Sequence, residues 1–157
     1  MFACVNAEQI LYRWASRPQD FADALAIRVR VFCDEQGVPR DEEPDLHDAH
    51  ALHLLALAGG GERAVGTLRL LIDGRGARIG RVAVEADARR RGIASRMLAL
   101  ALERAQQLGV TNVRLAAQVV AVSLYQQAGF AVESQPFEEA GIAHVWMGRR
   151  LERTLTG

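Results

Sequence analysis

Two short turns divide residues 51–84 into three apolar segments, and this spacing constrains the fold more than any other feature of the chain. Gly59-Gly60-Gly61 separates 51–58 from 64–72, and Asp73-Gly74, a dipeptide typical of hairpin turns, separates 64–72 from 78–84. Connections this short join antiparallel neighbours, whereas parallel strands need a crossover of a dozen or more residues. The sequence therefore predicts an antiparallel meander of three strands over 51–84.

The segments on either side of the meander predict helices packed on a mixed sheet. The predicted helices run from Pro18 to about residue 37, over 93–108 and over 119–128. The other predicted strands are 10–15, 113–117, 130–137 and 142–150. The polar stretch 40–50 is predicted to be a loop. No repeat or linker interrupts this pattern, so we expect residues 1–157 to form a single domain.

The balance of charge argues against several classes of partner. With 19 basic and 19 acidic residues, the chain offers no general attraction for nucleic acid or an anionic membrane. It has no apolar stretch of the ~20 residues that cross a bilayer, and its first residues lack the pattern of a signal peptide. We therefore expect a cytoplasmic protein. Cys4 and Cys33 lack metal-site spacing and are expected to be thiols rather than a disulfide.

The segment 79–102 carries the clearest chemical signal, because a strand leads through Arg89-Arg90-Arg91-Gly92 into a helix. A helix start presents backbone N–H groups without partners at the positive end of the helix dipole, which favours an anion such as a phosphate. Gly92 allows close approach of a ligand, and the arginines add forked donors. Neither the P-loop nor the GxGxxG fingerprint is present. A phosphate-bearing ligand or a plain solvated turn would each fit these residues.

Two motifs, which occur in the expected order, favour a phosphate-bearing ligand because they resemble motifs of a known family. Arg89-x-x-Gly92-x-Ala94 resembles the acyl-CoA pyrophosphate motif of the GNAT N-acetyltransferase superfamily, and Tyr125-x-x-x-Gly129-Phe130 resembles that family's Y-x-x-x-G-F. Alanine replaces the glycine that many members have at position 94. Nearly the whole chain, from about residue 10 to 151, is similar to the ElaA/YjcF-like branch. The segments that carry this similarity are 26–39, 48–50, 66–70, 79–84 and 137–147.

The resemblance implies an α/β (α+β) fold with a mixed, largely antiparallel sheet of about six or seven strands, splayed around the cofactor and flanked by about four helices. It implies acetyl-CoA as cosubstrate and no metal. Backbone groups of the strand would meet the pantetheine arm, and the helix start would hold the pyrophosphate. The cofactor-binding residues would be Val82, Ala83, Val84, Arg89, Arg90, Arg91, Gly92, Ile93, Ala94 and Ser95. Tyr125 would protonate the departing thiolate.

The general base is less sharply indicated, because several residue types fit. His50, His53 and His144 are candidates because histidine as a residue type ionises near neutral pH, and strand alternation predicts that His53 and His144 point to the ligand face of the sheet. A structural histidine is the alternative reading for each. The family also uses ordered water for this step, so a single base is not required.

The acidic stretch 41–48 suggests where the acceptor enters. Its carboxylates are Asp41, Glu42, Glu43, Asp45 and Asp48. Such a cluster would attract a cationic amine. In the alternative, the stretch is a plain solvated loop, or its carboxylates pair with Arg28, Arg30 or Arg69 and serve the structure. Glu138 and Glu139 are further carboxylates that could act near the site.

The function predicted is acetyl-CoA-dependent transfer of an acetyl group to an amine, by direct attack in a ternary complex. The acceptor is expected to be a small molecule or a peptide, and a homodimer stays open. An acyl-CoA-binding sensor without turnover is the alternative. Acyl-homoserine-lactone synthesis, suggested by the helix with Arg28 and Phe32, is disfavoured by the Y-x-x-x-G-F motif and the short chain.

Overall fold

The computed structural model describes residues 9–153, in which one mixed sheet of eight strands forms the centre of the protein. The strands are β1 (Leu11–Trp14), β2 (Leu52–Ala58), β3 (Arg63–Asp73), β4 (Gly76–Val84), β5 (Asn112–Gln118), β6 (Ala131–Val132), β7 (Phe137–Glu139) and β8 (Ile142–Arg150). Their order in the sheet is β1-β2-β3-β4-β5-β8-β6, and β7 also pairs with β8. The pairing is antiparallel except between β4 and β5. The predicted mixed, largely antiparallel fold is therefore confirmed.

The predicted meander is formed by β2, β3 and β4, and a bulge interrupts it. Opposite β3, the register shifts between Thr67, which faces Ala83, and Arg69, which faces Gly80. Arg81 accommodates the extra residue with φ of 51°, in the left-handed region that non-glycine residues seldom adopt. The bulge turns the end of β4 relative to its beginning.

The sheet opens where its two halves meet. β4 and β5 pair only from Gly76 to Arg78, opposite Asn112 to Arg114. Beyond those residues the two strands no longer pair, although β4 continues to Val84 and β5 to Gln118. The sheet is thus splayed, as the resemblance implies, and the splay lies between β4 and β5, each of which has an edge facing the gap.

Helices cover the two faces of the sheet unequally. Helix α2 (Ile93–Gln107) buries Met97, Leu98 and Ala101 against one face, and a Cβ at Gly66 would lie only 3.1 Å from Ile93 Cγ2. Helix α3 (Val122–Gln127) packs on the same core cluster. Helix α1 (Pro18–Arg28) covers β2, β3 and β4 on the opposite face. That face is therefore covered over one half of the sheet.

Some predicted elements differ in detail. The segment 130–137, predicted to be one strand, overlaps two short strands separated by residues 133–136, which include Pro136, so the sheet has eight strands instead of seven. Proline lacks the N–H that a ladder needs. Three α-helices are present among residues 9–153, and the first continues as a π-helical segment, Val29–Glu35. The sequence 119–121 forms a 3₁₀ turn before α3. No helix within 9–153 has the length and apolarity to cross a membrane.

Candidate active site

The gap between β4 and β5 widens into a cleft of about 800 Å³. Residues of both splayed strands, the start of α2 and one side of α3 line it. Because β4 pairs with β3 along its other side only, its backbone groups beyond Arg78 are available to an extended ligand. Among the described residues, no group of three or more His, Cys, Asp or Glu side chains has an arrangement that could hold a metal ion.

One end of the cleft is formed by the loop that leads into α2 and by the first turn of that helix. A 3₁₀ turn, Ala86–Ala88, precedes α2, and Arg90 and Gly92 follow with φ of 64° and 73°. The first hydrogen bond of α2 runs from Arg96 N to Gly92 O, 3.0 Å, so the preceding N–H groups have no partner inside the helix. A Cβ at Gly92 would meet no atom within 4 Å, so the space beside this residue is open. The arrangement fits the pyrophosphate that the resemblance implies there.

The Arg89 side chain braces this loop instead of pointing freely into it. Its Nε donates to the Val84 carbonyl at 3.0 Å, and its NH2 group donates to both Glu35 carboxylate oxygens at 2.8 and 2.9 Å. The neighbouring Gln36 accepts a hydrogen bond from Gln118 on β5 at 2.9 Å. The end of the π-helical segment thus contacts both walls of the cleft. The sequence contained no signal for this contact, because its partners lie more than fifty residues apart.

Tyr125 lies in the wall of the cleft with 8% of its surface exposed. Its ring meets Phe130 edge-to-face, with the centroids 6.3 Å apart. Burial raises the pKa of Tyr125 to about 12, so its hydroxyl is protonated at neutral pH. None of the residues 9–153 makes a hydrogen bond with that hydroxyl, which leaves it able to donate to a ligand in the cleft.

His144 on β8 also lines the cleft. Its ring stacks on Phe137 with the centroids 5.9 Å apart, and Nδ1 lies 2.7 Å from the Ile142 carbonyl. Since a carbonyl oxygen only accepts, Nδ1 must carry a proton. In the neutral ring, Nε2 then has a lone pair, and the described residues give it no hydrogen-bond partner. His144 and Tyr125 are thus brought to the same cleft, as the sequence led us to expect.

His53 is not brought to this cleft. It is buried beneath α1, where its ring meets Phe21 at 5.0 Å and its Nε2 lies 3.1 Å from the Asp48 carbonyl. Burial lowers the pKa of His53, partly offset by that carbonyl. The exposed His50 is also outside the residues that line the cleft. The expectation that His53 faces the ligand therefore fails, because α1 covers its half of the sheet.

The acidic loop contributes a paired ionic cluster, which we define as Arg28, Arg69, Arg81, Glu43, Asp45 and Asp48. Arg28 donates to Asp48 at 2.8 and 3.0 Å and pairs with Glu43. Arg69 lies 2.6 Å from Asp45, and Arg81 Nε lies 2.6 Å from Glu43. Each of the three carboxylates thus has an arginine partner.

The pairing within the ionic cluster decides between the two readings of the acidic loop. The structural alternative is confirmed for Arg28 and Arg69, whereas Arg30 pairs with Glu85 instead. Three guanidinium groups balance three carboxylates, so the loop carries no free negative charge at these positions with which to attract a cationic amine. The ion pairs of Glu43, Asp45 and Asp48 therefore remove their support for a cationic acceptor, while entry of the acceptor beside this loop stays a prediction.

Arg81 was not singled out by the sequence, yet it shapes the site. If β4 alternated regularly, Arg81 would point the same way as the buried Ile79, into the apolar core. The bulge turns its side chain to the other face, where it reaches Glu43 and Asp45. A charged residue at a position that alternation assigns to the core is a signal that could have indicated the bulge.

Known proteins are similar to this chain in both sequence and fold. The family model described as an acetyltransferase (GNAT) domain matches residues 18–151. The uncharacterized N-acetyltransferase YjcF of Bacillus subtilis is 32% identical over 135 residues, covering 85% of this chain and 94% of its own. An acyl-CoA N-acyltransferase from Pseudomonas aeruginosa has a TM-score of 0.76 at 27% identity, covering 90% of this chain and 99% of its own. Escherichia coli ElaA, at 24% identity and with coverages of 90% and 99%, shares the fold with a TM-score of 0.80.

Proposed function

Because this chain belongs to the GNAT acetyltransferase family, we propose that it transfers an acetyl group from acetyl-CoA to an amine by direct attack in a ternary complex. The single observation that carries the proposal is the cleft between β4 and β5. At one end it has a helix start whose N–H groups suit an anion. Along its walls it has two side chains that can donate or accept a proton, Tyr125 and His144.

The residues of the cleft fit acetyl-CoA part by part. The start of α2, with Gly92, would hold the pyrophosphate through backbone N–H groups, assisted by the charge of Arg90. The free edge of β4 at Val82–Val84 would pair with the amide groups of the pantetheine arm in the manner of a further strand. When bound, the thioester supplies an activated acyl carbon.

His144 and Tyr125 would then accept and donate the protons that move during the transfer. His144 Nε2 accepts the proton that the amine loses as its nitrogen bonds to the acyl carbon, directly or through a water. Tyr125 donates its proton to the sulfur as the carbon–sulfur bond breaks. A backbone N–H of β4 near the bulge would stabilise the negative charge that develops on the acyl oxygen. A sensor that binds acyl-CoA without turnover would need neither proton transfer.

The test is release of CoA thiol from acetyl-CoA over a panel of amines, with two histidine variants. We expect the wild type to release thiol only when an acceptor is present. His144→Gln should lower kcat/KM by at least about tenfold because the proton acceptor is lost. The matched variant His53→Gln should retain kcat/KM within about twofold, after correction for folded protein.

Two results would count against this assignment. Binding of acetyl-CoA without amine-dependent thiol release across the panel would favour the sensor. Equal losses in His144→Gln and His53→Gln would mean that His144 acts through the fold, and the amine proton would then leave by another route.

A further inference from the structure

The charges that line the cleft are unevenly neutralised. Five arginines contribute to its walls, namely Arg69, Arg78, Arg81, Arg89 and Arg90. Three of them are held by carboxylates, since Arg69 and Arg81 belong to the ionic cluster and Arg89 binds Glu35. Arg90 lies at the anion-binding start of α2 and is accounted for by the pyrophosphate. Arg78 is the remaining cation.

Arg78 lies at the vertex where β4 and β5 part, as the last residue of β4 that pairs with β5. Its guanidinium carbon lies 5.7 Å from the centre of the Trp146 ring, and that of Arg114 lies 4.9 Å from the same ring. Arg114 has a carboxylate partner, Glu133, at 3.2 Å. Within residues 9–153, no carboxylate forms an ion pair with Arg78. Contact with a ring leaves the N–H donors of a guanidinium available to a planar anion.

An aromatic wall connects Arg78 with the site of acyl transfer. His144 and Trp146 are two residues apart on β8, so their side chains share one face about 7 Å apart. Phe137 stacks on both, at 5.9 Å from His144 and 5.8 Å from Trp146. A molecule lying along this wall would place one end at His144 and the other at the vertex of the cleft.

The carboxylates that line the cleft do not neutralise the vertex. Glu42 and Glu139 line it without an ion-pair partner among the described residues. Glu139 lies on β7 opposite Ile142, two residues from His144, and therefore at the amine end of the wall. The cleft thus has a negative group near His144 and a positive group at Arg78.

We propose that the acceptor is an amine that also carries a carboxylate, and that Arg78 binds this carboxylate as a specificity-determining residue. The inference rests on the proposed acetyl transfer and adds the class of its acceptor. The guanidinium fork matches a carboxylate in a bidentate pair, and the aromatic wall contacts the part of the acceptor between its two charged ends. Purely cationic acceptors such as polyamines would gain nothing at the vertex.

The experiment compares amino acids with their carboxamides, in which a neutral group of nearly the same size replaces the carboxylate. Suitable pairs are glycine, β-alanine, γ-aminobutyrate, phenylalanine and aminomethylbenzoate, each with its amide. Phosphoethanolamine and ethanolamine form a further pair that tests a phosphate in place of a carboxylate. The proteins are the wild type, Arg78→Gln, Arg78→Lys and the control Arg75→Gln. Arg75 is an exposed arginine three residues earlier that does not line the cleft.

The wild type should acetylate at least one acid with a higher kcat/KM than its amide. Arg78→Gln should lower kcat/KM for that acid by about 10- to 100-fold, chiefly through KM, and change that of the amide less than about twofold. Arg78→Lys should retain part of the preference because it keeps the charge without the fork. Arg75→Gln should leave the ratio of acid to amide unchanged.

Several outcomes would overturn the inference. An equal loss for acid and amide in Arg78→Gln would make Arg78 a structural residue. A loss confined to phosphoethanolamine would mean that Arg78 binds a phosphate group of the acceptor and not a carboxylate. A wild type that acetylates amides or polyamines but no acid would refute the acceptor class and leave the acetyl transfer standing. If no amine releases CoA thiol, the proposed function itself fails.

Discussion

Tyr125→Phe should lower kcat about 100-fold while the Kd for acetyl-CoA changes less than about twofold. The phenylalanine ring keeps the packing against Phe130 and the wall of the cleft. Only the hydroxyl, whose proton would go to the leaving sulfur, is lost. Because the pKa of Tyr125 is raised to about 12, the hydroxyl stays protonated over the working range, and its ionisation should cause no fall in kcat below about pH 11. Steady-state kinetics with a good acceptor, beside calorimetry with acetyl-CoA, provide the measurement.

Tyr12 provides the matched control for this variant. It is the other tyrosine of the chain, half-buried in β1 against the core and outside the cleft. Tyr12→Phe removes the same group and should leave kcat within about twofold of the wild type. If Tyr125→Phe turned over like the wild type, Tyr125 would be a packing residue, and another group would have to protonate the thiolate.

Asp48→Asn should lower the free energy of unfolding at pH 7 by about 2–3 kcal/mol. Asp48 is buried and accepts hydrogen bonds from Arg28, Arg69 and the Asp45 backbone. The asparagine side chain is nearly isosteric but uncharged, so Arg28, only 1% exposed, would lose one of its two carboxylate partners. Arg28 keeps Glu43, so the cost comes from losing one charge-assisted partner of a buried guanidinium and not from leaving that charge unpaired. Urea unfolding of the wild type and variant gives the difference.

The effect on stability should depend on pH in one direction. Burial raises the pKa of Asp48, but the hydrogen bonds and charges of Arg28 and Arg69 outweigh it and leave the pKa well below its usual range. A depressed pKa stabilises the fold above the unfolded value of about 3.9 and loses that contribution as the pH falls towards the folded value. The difference between wild type and Asp48→Asn should therefore shrink between about pH 5 and pH 3.

Asp41→Asn is the control for Asp48→Asn, because Asp41 lies on the same loop but is exposed. It should change the free energy of unfolding by less than about 0.5 kcal/mol. A similar small change in Asp48→Asn, with no dependence on pH, would show that the ionic cluster contributes little to stability.

Local signals accounted for most of the fold. Gly59-Gly60-Gly61 and Asp73-Gly74 indicated the meander because a turn of a few residues decides which strands pair, whatever lies elsewhere. The strand 142–150 was predicted with the bounds that the structure has, and α2 differs from its prediction by one residue. The segment that leads into Gly92 likewise depends on neighbours in the chain, so its place at the cleft could be inferred from the sequence.

Contacts between distant residues account for what the sequence did not predict. The predicted orientation of His53 and His144 rests on strand alternation. Alternation assigns a side chain to one face of the sheet, but it does not say which half of that face a helix covers. Phe21 of α1 lies over His53 on β2. His144 lies on β8, in the other half of the strand order, beyond the gap between β4 and β5. The arginine partners of the acidic loop come from α1, β3 and β4. These residues are distant in sequence, so their ion pairs form only once the sheet has brought the elements together.

The central claim is that the cleft between β4 and β5 holds acetyl-CoA with its pyrophosphate at Gly92, and melting temperature tests it most directly. At about 100 times Kd, acetyl-CoA should stabilise the wild type by about 2.7 kcal/mol, which corresponds to a rise of about 5–10 °C. ATP and NAD at the same concentration should raise it much less. Gly92→Val should abolish the rise, whereas Gly74→Val, which places the same side chain at a positive φ outside the cleft, should retain it. Equal shifts with NAD and acetyl-CoA, or an undiminished rise in Gly92→Val, would contradict the account.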